Sequence, residues 1–354
     1  MKIMWGRQEF VPADIIELFT VTYIYRSLLR IYKKTLCIII NTSGHWSSKA
    51  YLLPDLETII EGLLCSILFS IFHKRYWMFD SIQTLTNIRH QSRQRFREKM
   101  RERAGVEFDS TVLLNEEEER LVCSVVEENA LKFCQNFSPP LPWSTICTAF
   151  CLFKRFYLET SVSEFVVAKN VMMAIIYLAC KLDDFYVTIE TFTQKLKSGT
   201  QAENAEVILS LEMEVLTRIK CHLYVYHPFR PLEGHFISMK TLYPEFEKVE
   251  LLRQGAYDFL WNSLFTDVSF LYSPSQIALA ALLASAKQNM AEEAVEQYIR
   301  NAMQNCELKK VNALLLKVKE CCDMVASREP VPPSYHASIQ LRIKQCAEYD
   351  YQKC

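Results

Sequence analysis

Glycine is scarce in this chain. The 354 residues include only seven glycines, whereas about 7% is usual. They lie so far apart that neither GxGxxG nor GxxxxGK[ST] can be written anywhere. Phosphate-binding loops of those kinds need glycine for their tight turns and for close backbone approach. The scarcity argues against a dinucleotide-binding dehydrogenase, a P-loop NTPase or a kinase's own nucleotide lobe, and it favours helices.

The sequence also lacks paired cysteine motifs and an excess of charge. Thirteen cysteines are scattered without a CxxC, and the nearest neighbours are Cys321–Cys322 and the helical pair Cys147 and Cys151. This spacing indicates reduced, intracellular thiols rather than a disulfide scaffold. A net charge of −1 argues against a dominant surface for polyanions.

No apolar run is long enough to predict a membrane helix. The run Gly62–Phe72 has 11 residues without a charge, and about 20 are needed. The start of the chain does not read as a secretory signal, so no membrane association is expected. Residues 1–73 differ from the remainder, and we interpret them as an accessory segment or as the product of a mistaken first exon.

From residue 74 onward the pattern is helical throughout. Asn115 with Glu118 is a capping-box pair, and Thr145–Leu158 is apolar almost all round, which is typical of a buried central helix. No alternation of period two demands a sheet, so the predicted fold class is all-α. The predicted helices are Ser81–Arg103, one beginning at Asn115, Thr145–Leu158, Ala168–Leu182, Ile189–Lys197, Ala202–Ile219, Pro231–Lys240, Val249–Asp267, Ser273–Asn289, Ala291–Asn305, Leu308–Ala326 and a short polar helix that closes the chain.

An internal sequence repeat divides this helical part into two modules. The small-residue, apolar helices Met173–Cys180 and Ala278–Ser285 lie 105 residues apart. A helix of this kind suits the centre of a five-helix module, because its neighbours must approach on every side. We predict modules at residues 115–225 and 230–327, preceded by a helical region at 74–114 and followed by a tail at 328–354.

Two charged residues do not fit the polar faces of their helices. At about 100° per residue, Glu212 falls on the apolar face of the helix Ala202–Ile219. On the helix Ala168–Leu182, Lys181 is the only charged residue after Lys169. One interpretation is an internal Lys181–Glu212 ion pair or a lysine that reaches water. The other is a pair that edges a groove for a partner helix. The position equivalent to Lys181 in the second module is Ala286, so the fold does not require this lysine and a functional role is favoured.

Several motifs resemble those of one family. They are Cys151–Leu158 (CLFKRFYL), Leu178–Asp184 (LACKLDD), His227–Gly234 (HPFRPLEG) and Leu271–Leu279 (LYSPSQIAL). Together they resemble the cyclins, and most closely the transcription-type branch that contains cyclin H, over residues 74–327. The resemblance implies two tandem five-helix cyclin boxes with flanking terminal helices.

The resemblance also implies a function without catalytic residues, cofactors or metals. A cyclin binds a cyclin-dependent kinase and presses the kinase's C-helix inward. In the family pattern Lys181 and Glu212 hold that helix, while Phe153, Leu182 and Phe185 are weaker candidates. The cyclin H branch further implies the CDK-activating kinase with its RING-finger assembly factor, the core of transcription factor IIH, and a nuclear location. The partner kinase would phosphorylate other cyclin-dependent kinases and the RNA polymerase II tail.

Alternatives from other classes remain open at this point. Another transcription cyclin, similar to cyclin C, shares the motifs. A cyclin-fold nucleic-acid binder is suggested by the basic segment Arg89–Arg103, although no zinc-ribbon CxxC accompanies it. An enzyme is disfavoured, because His222, His227 and His235 have no metal-ligand spacing and are interpreted as loop or core histidines.

Overall fold

Helices form the described part of the chain. The computed structural model describes residues 73–104, 111–242, 249–303, 306–332 and 334–353, and it contains no strand within them. The segment predicted as 1–73 lies outside these residues except for His73. The helices are α1 (Arg75–Trp77), α2 (Ile82–Ala104), α3 (Glu116–Gln135), α4 (Trp143–Glu159), α5 (Ala168–Leu182), α6 (Ile189–Gln194), α7 (Gln201–Arg218), α8 (Phe229–Leu242), α9 (Leu251–Ser263), α10 (Val268–Leu271), α11 (Pro274–Gln288), α12 (Glu292–Ala302), α13 (Leu308–Ala326) and α14 (Ser334–Lys353).

The first box is arranged around α5. Eleven of its fifteen residues are buried, and α3, α4 and α7 all contact it. The predicted capping box begins α3: the Asn115 side chain accepts from the Glu118 backbone N–H, and Glu118 accepts from that of Asn115, at 2.9 Å each. The sequence pattern therefore located the central helix and the start of α3 correctly.

The second box repeats this arrangement around α11. Ser273 and Gln276 form a capping box at its start, and Pro274 occupies its first turn. Helix α9 packs closely on α11, since an added Cβ on Gly255 would lie 2.6 Å from Ser285 Oγ. Small residues are thus required at this crossing, as expected for a helix that is contacted on every side.

Several predicted helix boundaries are wrong, since the helix beginning at Ile189 ends at Gln194 and the predicted helix Ala291–Asn305 ends at Ala302, and two predicted helices differ more strongly. Val249–Asp267 is not one helix, because α9 ends at Ser263 and α10 begins at Val268. At the break, Asp267 makes a two-point ion pair with Arg89 of α2, at 2.8 Å for each contact. The closing helix is not short either, since α14 has 20 residues.

Both terminal helices are tied to the first box by ion pairs. On α2, Arg93 contacts Glu116 at 2.6 Å and Lys99 contacts Glu164 at 3.2 Å. On α14, the Arg342 side chain lies 2.7 Å from Glu118. Carboxylates of the boxes neutralise Arg89, Arg93 and Lys99, so these three of the seven basic side chains in the segment Arg89–Arg103 serve packing, which weakens the nucleic-acid alternative.

Arg155 is a buried charge that the sequence pattern did not single out. Its guanidinium donates to the carbonyl oxygens of His222 at 2.7 Å and Tyr224 at 3.0 Å. It also donates to Nδ1 of His73 at 3.2 Å and lies 4.8 Å from the centre of the Trp77 ring. Burial lowers the pKa of Arg155 to about 10, so the group remains charged at neutral pH. One side chain therefore joins α4, the linker between the boxes and the segment around α1.

Replacing Arg155 should destabilise the fold. Arg155→Met leaves two partly buried carbonyl oxygens without their donor and a cavity where the guanidinium lay, and we expect the free energy of unfolding to fall by about 2–4 kcal/mol. Urea denaturation followed by circular dichroism measures this, with the exposed Arg230→Met as the matched control. Equal stability of the two variants would contradict this role for Arg155.

Two histidines at the junction of the boxes are held neutral. Burial, with the positive charge of Arg155 as the lesser cause, lowers the pKa of His73 to about 3. Burial also lowers the pKa of His227 to about 4, although Asp183 opposes the shift. In the unfolded chain both groups have a pKa near 6.5, so below that pH the unfolded state binds more protons than the folded state.

Stability should therefore fall as the pH drops below 6.5. At pH 5 the loss is on the order of 2 kcal/mol for each histidine. Urea denaturation at pH 7 and at pH 5 measures this loss of stability. The variant His227→Gln should show a smaller difference in unfolding free energy between the two pH values than the wild type. An unchanged difference in that variant would show that His227 is not responsible.

Candidate functional site

Lys181 and Glu212, the two charges predicted to matter, meet in one ion pair. The Lys181 ammonium lies 2.6 Å and 2.8 Å from the two carboxylate oxygens of Glu212. The lysine side chain is 44% exposed and the glutamate side chain 15% exposed. The pair lies at the surface, where α5 ends beside the middle of α7, so it is open to a partner.

The end of α5 determines where the ammonium lies. The chain turns immediately after the helix: the Phe185 N–H donates to the Cys180 carbonyl at 2.9 Å, and Asp184 adopts a φ of 55°. Aspartate tolerates this left-handed region better than most residues. Lys181 thereby lies in the last turn of α5, where the helix dipole favours a cation, and its ammonium is 4.5 Å from the centre of the Tyr177 ring.

Three exposed apolar side chains, which residue spacing had not marked, lie on α7 and in the turn after α5, the elements that carry the pair. Leu209 is 45% exposed, Met213 is 67% exposed and Tyr186, in the turn after α5, is 90% exposed. At about 100° per residue, Leu209 and Met213 fall on the side of α7 that carries Glu212, outside its buried face. The spacing of 100° per residue that placed Glu212 on the apolar face therefore also predicts the positions of Leu209 and Met213 on α7.

The weaker candidates have different surroundings. Leu182 and Phe185 are partly buried and pack at the edge of the core, so each presents part of its side chain near the pair. Phe153 is 1% exposed in the middle of α4. Its side chain belongs to the core and offers no surface to a partner, so it is removed from the candidate site.

The three histidines pack against aromatic rings. The His222 ring lies 4.7 Å from that of Tyr76, His227 contacts Trp143, and Nδ1 of His235 lies 3.0 Å from the Tyr298 hydroxyl. Within the described residues, no group of three or more His, Cys, Asp and Glu side chains has a geometry suited to a metal ion, and no helix is both long and apolar enough to cross a membrane.

Two repeated helical boxes, with α5 and α11 at their centres, define a cyclin-type fold, and comparison with solved structures agrees. The CAK complex from Chaetomium thermophilum bound to ATP-γ-S contains a chain that matches with a TM-score of 0.68 and 22% identity, over 79% of this chain and 89% of that one. A chain of the yeast TFIIK (Kin28/Ccl1/Tfb3) complex matches with a TM-score of 0.57 and 24% identity, over 72% and 97%. At these identities the likeness concerns the fold.

Sequence comparison establishes the family. The model of the cyclin C-terminal domain matches residues 227–326. Cyclin-H of Xenopus laevis is 33% identical over 276 residues, which is 77% of this chain and 84% of that protein. The chain belongs to the cyclin family, and the resemblance to the cyclin H branch is confirmed. It is accordingly a regulatory subunit and not itself an enzyme.

The surface pair should contribute little to stability. An exposed ion pair is worth about 0–1 kcal/mol, so Lys181→Ala should change the free energy of unfolding by less than about 1 kcal/mol. Lys154→Ala is the contrasting variant, because it leaves buried Glu127 without the ammonium that lies 2.8 Å away, and breaking a buried pair costs about 3–5 kcal/mol. Urea denaturation of both variants measures the two losses in unfolding free energy, which should differ clearly. A large loss for Lys181→Ala would mean that the pair is structural.

Proposed function

We propose that this cyclin binds and activates a cyclin-dependent kinase through the first box, with the Lys181–Glu212 pair at the centre of the contact. The observation that carries the proposal is a surface ion pair that the fold does not need, on elements that also carry exposed apolar side chains. Exposed apolar groups around a polar centre are typical of protein interfaces.

The pair has the chemistry to hold a helix of the partner. An ammonium has three N–H donors and a carboxylate accepts several, so Lys181 and Glu212 retain hydrogen-bonding capacity beyond their mutual contact. Met213, Leu209 and Tyr186 would bury apolar surface beside them, at roughly 25 cal/mol for each Å² removed from water. Such a surface orients a kinase helix, while the kinase itself supplies the nucleotide site and the phosphoryl transfer.

The assembly that we propose is of the CDK-activating type. It comprises a cyclin-dependent kinase, a RING-finger assembly factor and the core of transcription factor IIH, in the nucleus. The similarity to Xenopus laevis cyclin-H over most of both chains supports this choice. In that assembly the partner kinase acts on other cyclin-dependent kinases and on the RNA polymerase II tail.

Removing either member of the pair should weaken kinase binding. In a reconstituted complex of the full chain with the kinase and the RING-finger factor, we expect Lys181→Ala and Glu212→Ala to raise the Kd by about 10-fold or more, since truncating one partner of an interfacial charge pair costs about 2 kcal/mol or more. Surface plasmon resonance measures the affinity, and transfer of phosphate to a polymerase-tail peptide measures the activation.

A pair in the second box provides the control. Lys240 and Glu250 form an ion pair in which both side chains are about half exposed, and Lys240→Ala should leave binding and activation unchanged. Normal binding and activation by both Lys181→Ala and Glu212→Ala would show that the docking site lies elsewhere. Recovery of a different kinase without the RING-finger factor, when the full chain is used to purify its complex from nuclear extract, would favour a cyclin of the cyclin C type.

A further inference from the structure

The second helix of each box presents an equivalent face, and the two faces differ in what covers them. In the first box this helix is α4, and in the second box it is α9. Four residues on each helix correspond, each pair being separated by 108 residues. They are Cys147, Phe150, Cys151 and Lys154 on α4, and Gly255, Asp258, Phe259 and Asn262 on α9.

The face on α4 is covered by the second box. Leu264, Val268 and Tyr272 lie opposite it, and the space that remains between the boxes is about 30 Å³. The rings of Phe150 and Phe265 are in edge-to-face contact at 5.8 Å. This face of the helix is therefore where the first box accepts a helical element with apolar side chains.

The face on α9 is open in the described part of the chain. It forms one wall of a groove of about 590 Å³ between α9, α11 and α13. Phe259, Leu283 and Val325 form its largely buried apolar floor, and Ala326 and Pro330 are exposed at its edge. Beyond α13, Arg328 holds one end of the groove in place, since it is ion-paired to Glu128 of α3 and lies 4.0 Å from the centre of the Phe265 ring.

The rim of the groove carries an excess of negative charge. Two basic side chains there are already neutralised within the chain, Lys319 by Glu296 and Arg328 by Glu128. Among the described residues, the other charged side chains of the lining are three carboxylates and one ammonium, and none of these four forms an ion pair. They are Asp258, Glu292, Asp323 and Lys287.

We propose that this groove docks a helical segment of a partner protein in which apolar side chains are flanked by lysine or arginine. The repeat supplies the shape, because the equivalent face of the first box receives the short helix α10 and its flanking turns, and the rim supplies the preference for positive charge. The groove lies on the second box, so this docking is independent of the proposed kinase contact on the first box.

A synthetic peptide tests the docking on the full chain. The probe is a 16-residue, capped, fluorescein-labelled helix with leucine at i, i+3, i+4 and i+7 spacing and lysine on its flanks, and its partner peptide has glutamate in place of lysine. Fluorescence anisotropy should show saturable binding of the lysine peptide. The glutamate peptide should bind at least about 10-fold more weakly, because like charges across an interface disfavour association.

Variants of exposed residues locate the binding. Asp258→Lys combined with Asp323→Lys should weaken binding of the lysine peptide about 10-fold. Ala326→Trp should prevent its binding by filling the groove. Glu293→Lys combined with Glu320→Lys, which reverses two carboxylates outside the groove, should leave affinity within about 2-fold of wild type. All of these variants should bind the kinase normally. No saturable binding, equal binding of both peptides, or equal effects of the groove and control variants would overturn the proposal.

Discussion

The arrangement of the two boxes depends on the buried guanidinium of Arg155. It donates to two carbonyl oxygens of the inter-box linker and to His73, and its planar face lies over Trp77. An arginine can do this because its donors diverge in one plane and because it keeps its charge when buried. This side chain thereby joins the linker, the first box and the segment before α2, and the His222 ring adds a contact between the linker and Tyr76. Burial keeps His73 neutral by lowering its pKa, and the positive charge of Arg155 adds to that effect.

Charges elsewhere extend this arrangement. Arg89 of α2 reaches Asp267 in the second box, while Arg93, one helical turn later, reaches Glu116 in the first. One terminal helix therefore contacts both boxes through adjacent turns of its basic face. The break between α9 and α10 lies beside the first of these contacts, which connects a local departure from helical periodicity to a tertiary ion pair.

The candidate site shows how a conserved fold can carry a local function. Both boxes have a central apolar helix, but only α5 ends with a lysine that faces a glutamate, and the position equivalent to Lys181 in the second box is the buried Ala286. The second box has instead an open groove at the place where the first box is covered by its neighbour. Repetition of one module thus yields two different surfaces, because each copy has different residues on its exposed faces and different neighbours.

Much of this could be predicted from the sequence, because periodicity and capping are local properties. The bounds of α5 and α13, the capping box of α3 and the positions of Lys181 and Glu212 on their helices all follow from residue spacing. The burial of Arg155 and Lys154 could not be predicted in this way, since a charge at the end of an apolar helix reads as solvent-exposed until its partners are known. Those partners are Glu127 and the linker carbonyls, and they come from distant parts of the chain.

The same limit applies to the weaker site candidates. The resemblance offered both Phe153 and Phe185 as candidates, but only the packing of the helices decided that Phe153 is enclosed while Phe185 stays partly exposed. The exposure of Met213 and Tyr186 was likewise decided by which helices cover α7 and the end of α5. The sequence by itself therefore determined the helices, their faces and the family, because these depend on neighbouring residues. Tertiary structure alone decided which charges are buried and which apolar groups meet solvent, because burial depends on contacts between residues far apart in the chain.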